Sequence, residues 1–131
     1  MRGIFLDDER YPKDVTWIKY PENVEWFIVR TQHCFMSLLE YEEFNIITFD
    51  HDIECYDEEG REVTGYDLLK YALDYFQINN KKIPAMYFHS MNPVGKENME
   101  AYYNNFVTFY NKEWENNEQP RTSATRTSET L

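Results

Sequence analysis

The sequence predicts an α/β fold in which a parallel sheet carries helices on both faces. Apolar runs of strand length alternate along the chain with segments whose apolar residues recur at helical spacing. The apolar runs are continuous, as is typical of strands buried on both faces of a sheet. Taken in order, the segments are strand, strand, helix, strand, helix, strand and helix.

The first strand is predicted at about residues 3–6 and the second at about residues 25–30. A polar segment with two prolines separates them, and within it residues 15–18 could form either a short helix or an extra edge strand. Thr31 is predicted to be the N-cap of a helix that runs to about Phe44, because apolar residues recur there every three to four positions.

The third strand is predicted at about residues 45–50, and a long acidic loop follows at about residues 51–63. Thr64 and Asp67 then match a variant of the capping box, so they are predicted to begin the second helix. After a fourth apolar run, the third helix is predicted at about residues 96–114. No fifth strand is visible, because the chain passes from the fourth strand directly into this last helix.

Right-handed crossovers and one reversal after the second strand give a predicted strand order of 2-1-3-4. Residues 1–115 are expected to form one domain, since a chain of 131 residues can bury a single core. Residues 116–131 are polar and lack apolar periodicity, which predicts a disordered tail.

Composition limits the classes of function. The chain has 24 acidic and 13 basic residues and a formal net charge of −11. Such a field repels nucleic acids and anionic membranes, so coat-type DNA binding and membrane binding are not expected. A small phosphorylated ligand held through a divalent cation remains compatible with this charge. The chain has two cysteines, which are too few for a disulfide scaffold, so reduced thiols are predicted. It has no apolar run of about 18 residues and no visible signal peptide, which predicts a soluble, cytoplasmic protein.

Acidic residues, histidines or a hydroxyl follow three predicted strands where each strand ends. These residues are Asp7 and Asp8 after the first strand, Asp50, His51 and Asp52 after the third, and His89 and Ser90 after the fourth. In an open parallel sheet, the loops at the carboxyl ends of the strands form the ligand crevice, at the point where the strand order reverses. We therefore expect these side chains to converge.

Clustered carboxylates form a hard oxygen site that suits Mg²⁺ or Mn²⁺. The predicted ligands are Asp7, Asp8, Asp50 and Asp52. Without a cation, such carboxylates repel one another and their pKa values rise. A double Asp alone often only caps a turn, but a third Asp at the neighbouring strand end favours the metal site.

His51 and His89 are candidate catalytic residues, because a histidine near carboxylates can transfer protons around neutrality. For His51, a surface loop position is an equal alternative. Ser90 could donate to a phosphate oxygen near the start of a helix. Further substrate-binding residues are predicted at Arg10, Arg30, Asn92 and Lys96. The alternatives are surface ion pairs for the arginines and a solvated side chain for the lysine.

Four motifs resemble a known family. They are Leu6-Asp7-Asp8-Glu9-Arg10 with Pro12, Phe49-Asp50-His51-Asp52, Gly65-Tyr66-Asp67-Leu68-Leu69, and His89-Ser90-Met91-Asn92-Pro93-Val94-Gly95-Lys96-Glu97-Asn98-Met99. Together they span about residues 3–100 and are similar to the cyclic-phosphate-processing receiver-like domain, a divergent branch of the receiver domains of two-component signalling. By motif position, Asp7 and Asp8 match the receiver acidic pair, Asp50 the acceptor, and Ser90 the phosphate-contacting hydroxyl.

The resemblance implies a three-layer α/β/α, flavodoxin-like fold and metal-dependent action on cyclic phosphates of nucleotides or RNA ends. It also implies a bacterial or phage source, and a phage-encoded protein would act in the cytoplasm of the host cell. A receiver also has a fifth strand that ends in a lysine, for which Lys96 could substitute from another direction. We expect a metal-dependent phosphoesterase. The alternatives are a non-catalytic module phosphorylated on Asp50 and a small acidic phage interaction protein.

Overall fold

The structure is a computed structural model, and it describes residues 1–118. Residues 1–101 form one compact unit, which contains every described strand, and a second unit begins at residue 102. Over the described part of the chain, no helix combines the length and the apolar character that crossing a membrane requires.

Six strands and three α-helices follow one another along residues 1–118. They are β1 (Arg2–Leu6), β2 (Glu25–Val29), α1 (Gln32–Tyr41), β3 (Ile46–Phe49), β4 (Cys55–Tyr56), β5 (Glu62–Val63), α2 (Gly65–Ile78), β6 (Ala85–Phe88) and α3 (Pro93–Glu118), with a short 3-10 helix at Pro12–Asp14. The last helix ends four residues beyond the predicted position 114. The remainder of the predicted tail, residues 119–131, lies outside the described residues.

Four strands form one parallel sheet in the order β2-β1-β3-β6. Because β6 is the predicted fourth strand, this order confirms the predicted topology and the flavodoxin-like α/β fold. Within residues 1–118 the sheet has no fifth strand, as the sequence predicts. Two details differ from the prediction. Residues 15–18 form neither a helix nor a strand, and the acidic loop contains the two-residue antiparallel pair β4–β5.

Aromatic side chains fill the core on both faces of the sheet. On one face, the ring of Phe35 from α1 contacts Phe49, which stacks on Phe88. On the other face, the connection between β1 and β2 brings Tyr20 against the rings of Trp26 and Tyr87. Successive residues of a strand point to opposite faces, so the apolar runs pack on both sides.

Threonine caps fix the starts of the first two helices, as predicted. The Thr31 side chain accepts a hydrogen bond from the backbone N–H of Cys34 at the start of α1. Thr64 accepts from the N–H of Asp67, and the Asp67 carboxylate accepts from the N–H of Thr64. The second cap is therefore reciprocal, and it anchors α2 close to the carboxyl end of β3.

We expect Thr64→Ala to lower the free energy of unfolding by about 1 kcal/mol, because it leaves the backbone N–H of Asp67 without its acceptor. Urea denaturation followed by tryptophan fluorescence measures the loss. Thr31→Ala is the matched control and should lower stability less, since the Thr31 hydroxyl caps one N–H, whereas the Thr64 hydroxyl also donates to Oδ2 of Asp67 at 3.2 Å. Equal losses in the two variants would contradict a contribution from this second bond of the Thr64 hydroxyl.

Candidate functional site

The three predicted strand ends meet at one edge of the sheet. The backbone N–H of Asp7 donates to the carbonyl of Val29, that of Asp50 to Leu6, and that of His89 to Phe49. The ladder thus extends one residue beyond the strands and fixes the backbone of each site residue. Potential ligand atoms of Asp7, Asp50 and His89 all lie within 4.8 Å of one another.

A shallow groove of about 230 Å³ opens over this edge. Its lining residues are Asp8, Glu9, Arg10, Asp50, Asp52, Glu54, Ser90, Met91 and Asn92. Five of these nine carry a carboxylate and one carries a guanidinium, so the groove attracts cations. Glu9 and Glu54 were not predicted. Glu54 has a φ of 54°, which a non-glycine residue seldom adopts, and nothing in the acidic loop sequence indicates this.

Asp50 is nearly fully buried, and burial together with the negative charge of Asp7 raises its pKa from 3.8 to about 6. Its Oδ1 accepts a hydrogen bond of 2.8 Å from the N–H of His51. The pKa of Asp8 is also raised, first by burial and then by the charges of Asp7, Glu9 and Glu54. A bound cation would relieve this repulsion, so the carboxylates fit a divalent metal.

Asp7 is fully buried, but it is held in its ionised form. Its Oδ1 accepts hydrogen bonds of 2.8 Å from the N–H groups of Glu9 and Arg10, and its Oδ2 lies 3.0 Å from Nε2 of His89. Burial alone would raise the pKa of Asp7, but the bonds from His89 and the two backbone N–H groups lower it to about 2. Asp7 therefore contributes a permanent negative charge beside Asp50.

His89 lies behind the site rather than in the groove. It is fully buried, and while Nε2 faces Asp7, Nδ1 lies 2.8 Å from Oγ1 of Thr48. The hydroxyl of Tyr20 lies a further 2.8 Å from that oxygen. With both ring nitrogens bonded to the protein, His89 does not reach a substrate, which corrects the expectation that it protonates a leaving oxygen.

His51 lies in sequence between two residues that line the groove, Asp50 and Asp52, and its own imidazole is mostly buried. Its Nδ1 is 2.9 Å from Oδ1 of Asp52, and this bond is the main cause that lowers the pKa of Asp52. The start of α3 packs against the ring, because a Cβ on Gly95 would lie only 2.5 Å from Cγ of His51. Asp52 also accepts a bond of 3.2 Å from the amide of Asn92. His51 is therefore oriented by a carboxylate.

Ser90 and Asn92 shape the entry to α3. Asn92 caps the helix, since its Oδ1 accepts from the N–H of Gly95 at 3.1 Å and Pro93 is the first helical residue. The N–H of Asn92 donates to Oγ of Ser90 at 3.0 Å, which leaves the hydroxyl proton of Ser90 to donate elsewhere. Asn92 therefore has a capping role, and both Asn92 and Ser90 line the groove, where substrate contacts were predicted for them.

Of the three predicted phosphate-binding cations, one lies in the groove. Arg10 lines it, with NH1 3.7 Å from Oδ2 of Asp7. Arg30 instead donates from NH1 to the backbone carbonyls of Asp7 and Arg10, at 3.1 and 2.7 Å, so it braces the loop after β1. Lys96 is in the first turn of α3 and is not among the described residues that line the groove.

The parallel sheet, the acidic pair after β1, Asp50 after β3 and the hydroxyl after β6 define a receiver-like α/β domain. The chain matches the family model described as "Cyclic-phosphate processing Receiver domain" over residues 2–105. It belongs to this family, which confirms the resemblance found in the motifs.

Among solved structures, the chain is similar to the crystal structure of a response regulator receiver domain protein (CheY-like) from Methanospirillum hungatei JF-1. The identity is 18%, the match covers 86% of this chain and 97% of that chain, and the TM-score is 0.40. No curated protein matches the chain.

Proposed function

We propose that the protein is a metal-dependent phosphoesterase that opens cyclic phosphates of nucleotides or RNA ends. The observation that carries the proposal is the groove, in which carboxylates cluster beside an arginine and a serine hydroxyl at the carboxyl ends of the strands. Hard oxygen donors suit Mg²⁺ or Mn²⁺, and the arginine and hydroxyl suit phosphate oxygens. The family description is consistent with such a substrate.

In this proposal, Asp8 and Asp50 hold the cation, and the charge of Asp7 adds to its attraction. Both groove carboxylates have a raised pKa in the absence of a cation, which supports their role as ligands. When bound, the cation would polarise the phosphoryl oxygens and orient a water molecule. Asp52, predicted as a further ligand, has its oxygens bonded to His51 and Asn92, so we assign it to orienting His51.

Hydrolysis of a cyclic phosphodiester breaks one ester P–O bond, adds hydroxide from water to phosphorus, and moves a proton from water to the leaving oxygen. We assign this proton transfer to His51, because its neighbours Asp50 and Asp52 line the groove and the carboxylate of Asp52 fixes its ring. Ser90 and Arg10 would stabilise the charge on the phosphoryl oxygens.

The test is an assay of 2′,3′-cyclic nucleotides and of RNA with a cyclic-phosphate end, each with Mg²⁺ or Mn²⁺. We expect turnover that Asp50→Asn abolishes and that His51→Gln reduces by about 10²-fold or more. Asp74→Asn, which changes an exposed carboxylate of α2, is the matched control and should retain full activity. If no cyclic phosphate gives product with any divalent metal, the proposal is wrong.

A second candidate is a non-catalytic module that accepts a phosphoryl group on Asp50. The observation that favours it is the receiver arrangement itself, with Asp50 at a strand end and Ser90 in the same groove. It predicts a metal-dependent acyl phosphate with acetyl phosphate as donor, visible by intact mass and absent in Asp50→Asn, with no ester turnover. The third possibility from the sequence, a small acidic interaction protein, stays a prediction.

A further inference from the structure

A chain of hydrogen bonds runs from Tyr20 to Asp7 through the interior of the protein. The hydroxyl of Tyr20 lies 2.8 Å from Oγ1 of Thr48, Thr48 Oγ1 lies 2.8 Å from Nδ1 of His89, and His89 Nε2 lies 3.0 Å from Oδ2 of Asp7. Thr48, His89 and Asp7 are fully inaccessible to solvent, and Tyr20 is partly buried. Four separate parts of the chain thus share one polar network.

The carboxylate of Asp7 and the tautomer of His89 together set the direction of the bonds in this network. The Asp7 carboxylate accepts from two backbone N–H groups through Oδ1 and from Nε2 of His89 through Oδ2, so Nε2 carries a proton. In the tautomer with that single proton, Nδ1 is an acceptor and the hydroxyl of Thr48 donates to it. The oxygen of Thr48 is left to accept from Tyr20. Each of the four side chains in the network therefore has a hydrogen-bond partner, as a buried polar network requires.

Packing fixes the same imidazole from the sides. The ring of Phe5 stacks on it with 4.5 Å between centroids and 11° between planes, and the indole N–H of Trp17 donates to the backbone carbonyl of His89 at 3.1 Å. These contacts set the plane of the ring, but a flip of 180° about the Cβ–Cγ bond would leave the ring in the same plane. The flip would put carbon atoms in place of Nδ1 and Nε2, so the bond between Thr48 and Nδ1 selects the orientation in which Nε2 faces Asp7.

We propose that Thr48 and Tyr20 are positioning residues of the site: they hold the His89 imidazole so that its Nε2 proton meets Oδ2 of Asp7 and keeps that carboxylate beside Asp50. Oδ1 of Asp7 is held by two backbone N–H groups, whereas Oδ2 depends on His89 and a 3.7 Å ion pair with Arg10. Residues that bond metal ligands commonly change metal affinity by 10- to 100-fold, and Thr48 acts further out, through His89 and Asp7, so its effect should lie at the lower end of this range. The inference rests on the proposed function only in using metal affinity as one readout.

The main test compares Thr48→Val with Thr48→Ser. Valine keeps the shape of threonine and removes the hydroxyl, whereas serine keeps the hydroxyl and removes a buried methyl group. We expect Thr48→Val to weaken Mn²⁺ binding about 10-fold by calorimetry. Thr48→Ser should bind Mn²⁺ within twofold of wild type although it unfolds at a lower urea concentration. If Mn²⁺ affinity instead follows stability across the two variants, the role is merely structural and the proposal is wrong.

A second pair of variants tests the outer end of the chain. Tyr20→Phe removes the hydroxyl that bonds Thr48 and keeps the ring against Trp26 and Tyr87, so we expect a smaller loss of Mn²⁺ affinity, about threefold. Tyr87→Phe is the matched control, because it removes a neighbouring hydroxyl that takes no part in the network, and it should not change the affinity. Equal effects of the two variants would overturn the role of Tyr20.

A measurement without metal separates this inference from the proposed function. The ¹⁵N shifts of the His89 ring in metal-free protein should show a protonated Nε2 and a hydrogen-bonded Nδ1. Thr48→Val should move Nδ1 to the shift of a nitrogen without a hydrogen bond, and Thr48→Ser should not. An unchanged Nδ1 shift in Thr48→Val would overturn the inference. This comparison is decisive even if the wild-type protein neither binds Mn²⁺ nor turns over a cyclic phosphate.

Discussion

Gly65→Ala is expected to destabilise the protein by at least about 3 kcal/mol and to abolish metal binding at the groove. A Cβ at this position would lie 1.7 Å from the backbone carbonyl oxygen of Asp50 and 2.8 Å from its carbonyl carbon. Because these are backbone atoms of a residue bonded to β1, no side-chain rotation can relieve the overlap. Either α2 or the end of β3 must move, and both positions define the site.

Urea denaturation and Mn²⁺ calorimetry measure the two effects of Gly65→Ala. Gly60→Ala is the control, since Gly60 has a φ of 85° and a Cβ there would meet nothing within 4 Å. It should lower stability by about 1 kcal/mol through backbone strain alone and leave metal binding unchanged. A Gly65→Ala protein with wild-type stability and a working groove would show that the approach of α2 to Asp50 is unimportant.

Metal-free protein should lose stability as the pH rises from 4 to 7, and Asp50→Asn should remove this loss. The pKa of Asp50 is about 6 in the folded protein against an ordinary value of 3.8, so the folded state binds the proton more tightly. The resulting stabilisation is fully present below pH 3.8 and lost as the pH rises through 6. A shift of about two units corresponds to about 3 kcal/mol, so Asp50→Asn should exceed wild type by up to this amount at pH 8.

Urea unfolding at a series of pH values, with a chelator present, measures the effect of Asp50. Asp7 does not mask the effect of Asp50, because the two residues act in different pH ranges. The lowered pKa of Asp7, about 2, means that its contribution to stability is present above pH 3.8 and is lost only as the pH falls through 2. Adding Mn²⁺ should reverse the decline for wild type, since the cation binds the ionised carboxylates of the folded state. Parallel pH profiles for wild type and Asp50→Asn would contradict the assignment.

The strands of the sheet could be predicted because the apolar runs of the central strands are continuous and each ends abruptly in polar residues, and right-handed crossovers with one reversal then gave their order. That pattern fixes where a strand ends, and adjacent parallel strands bring those ends together, which placed Asp7, Asp50 and Ser90 correctly. The β4–β5 pair was missed because two-residue strands such as Cys55–Tyr56 are too short to show a period. Residues 15–18 were ambiguous because this apolar stretch is also too short to show a period, and in the structure they form neither a helix nor a strand.

The roles of several site residues could not be predicted because position at a strand end does not determine where a side chain points. For His89, a signal was available: a strand period of two, extended past β6, puts it on the face of Tyr87. The same count puts Asp7 on the face of Phe5, and the single hydroxyl of the run Ile46–Phe49 is Thr48. For Arg30 no such signal exists, since its partners are backbone carbonyls whose position depends on the folded loop.

The imbalance of charge in the groove, five carboxylates against one guanidinium, has a consequence for the order of events in the proposed reaction. An anionic phosphate would be repelled from the empty groove, so the cation must enter first and the substrate second. Opening a cyclic diester converts a monoanion into a monoester that can carry a second negative charge. The surrounding carboxylates would repel this product more strongly than the substrate, so the groove that requires the cation for entry would also hasten product release.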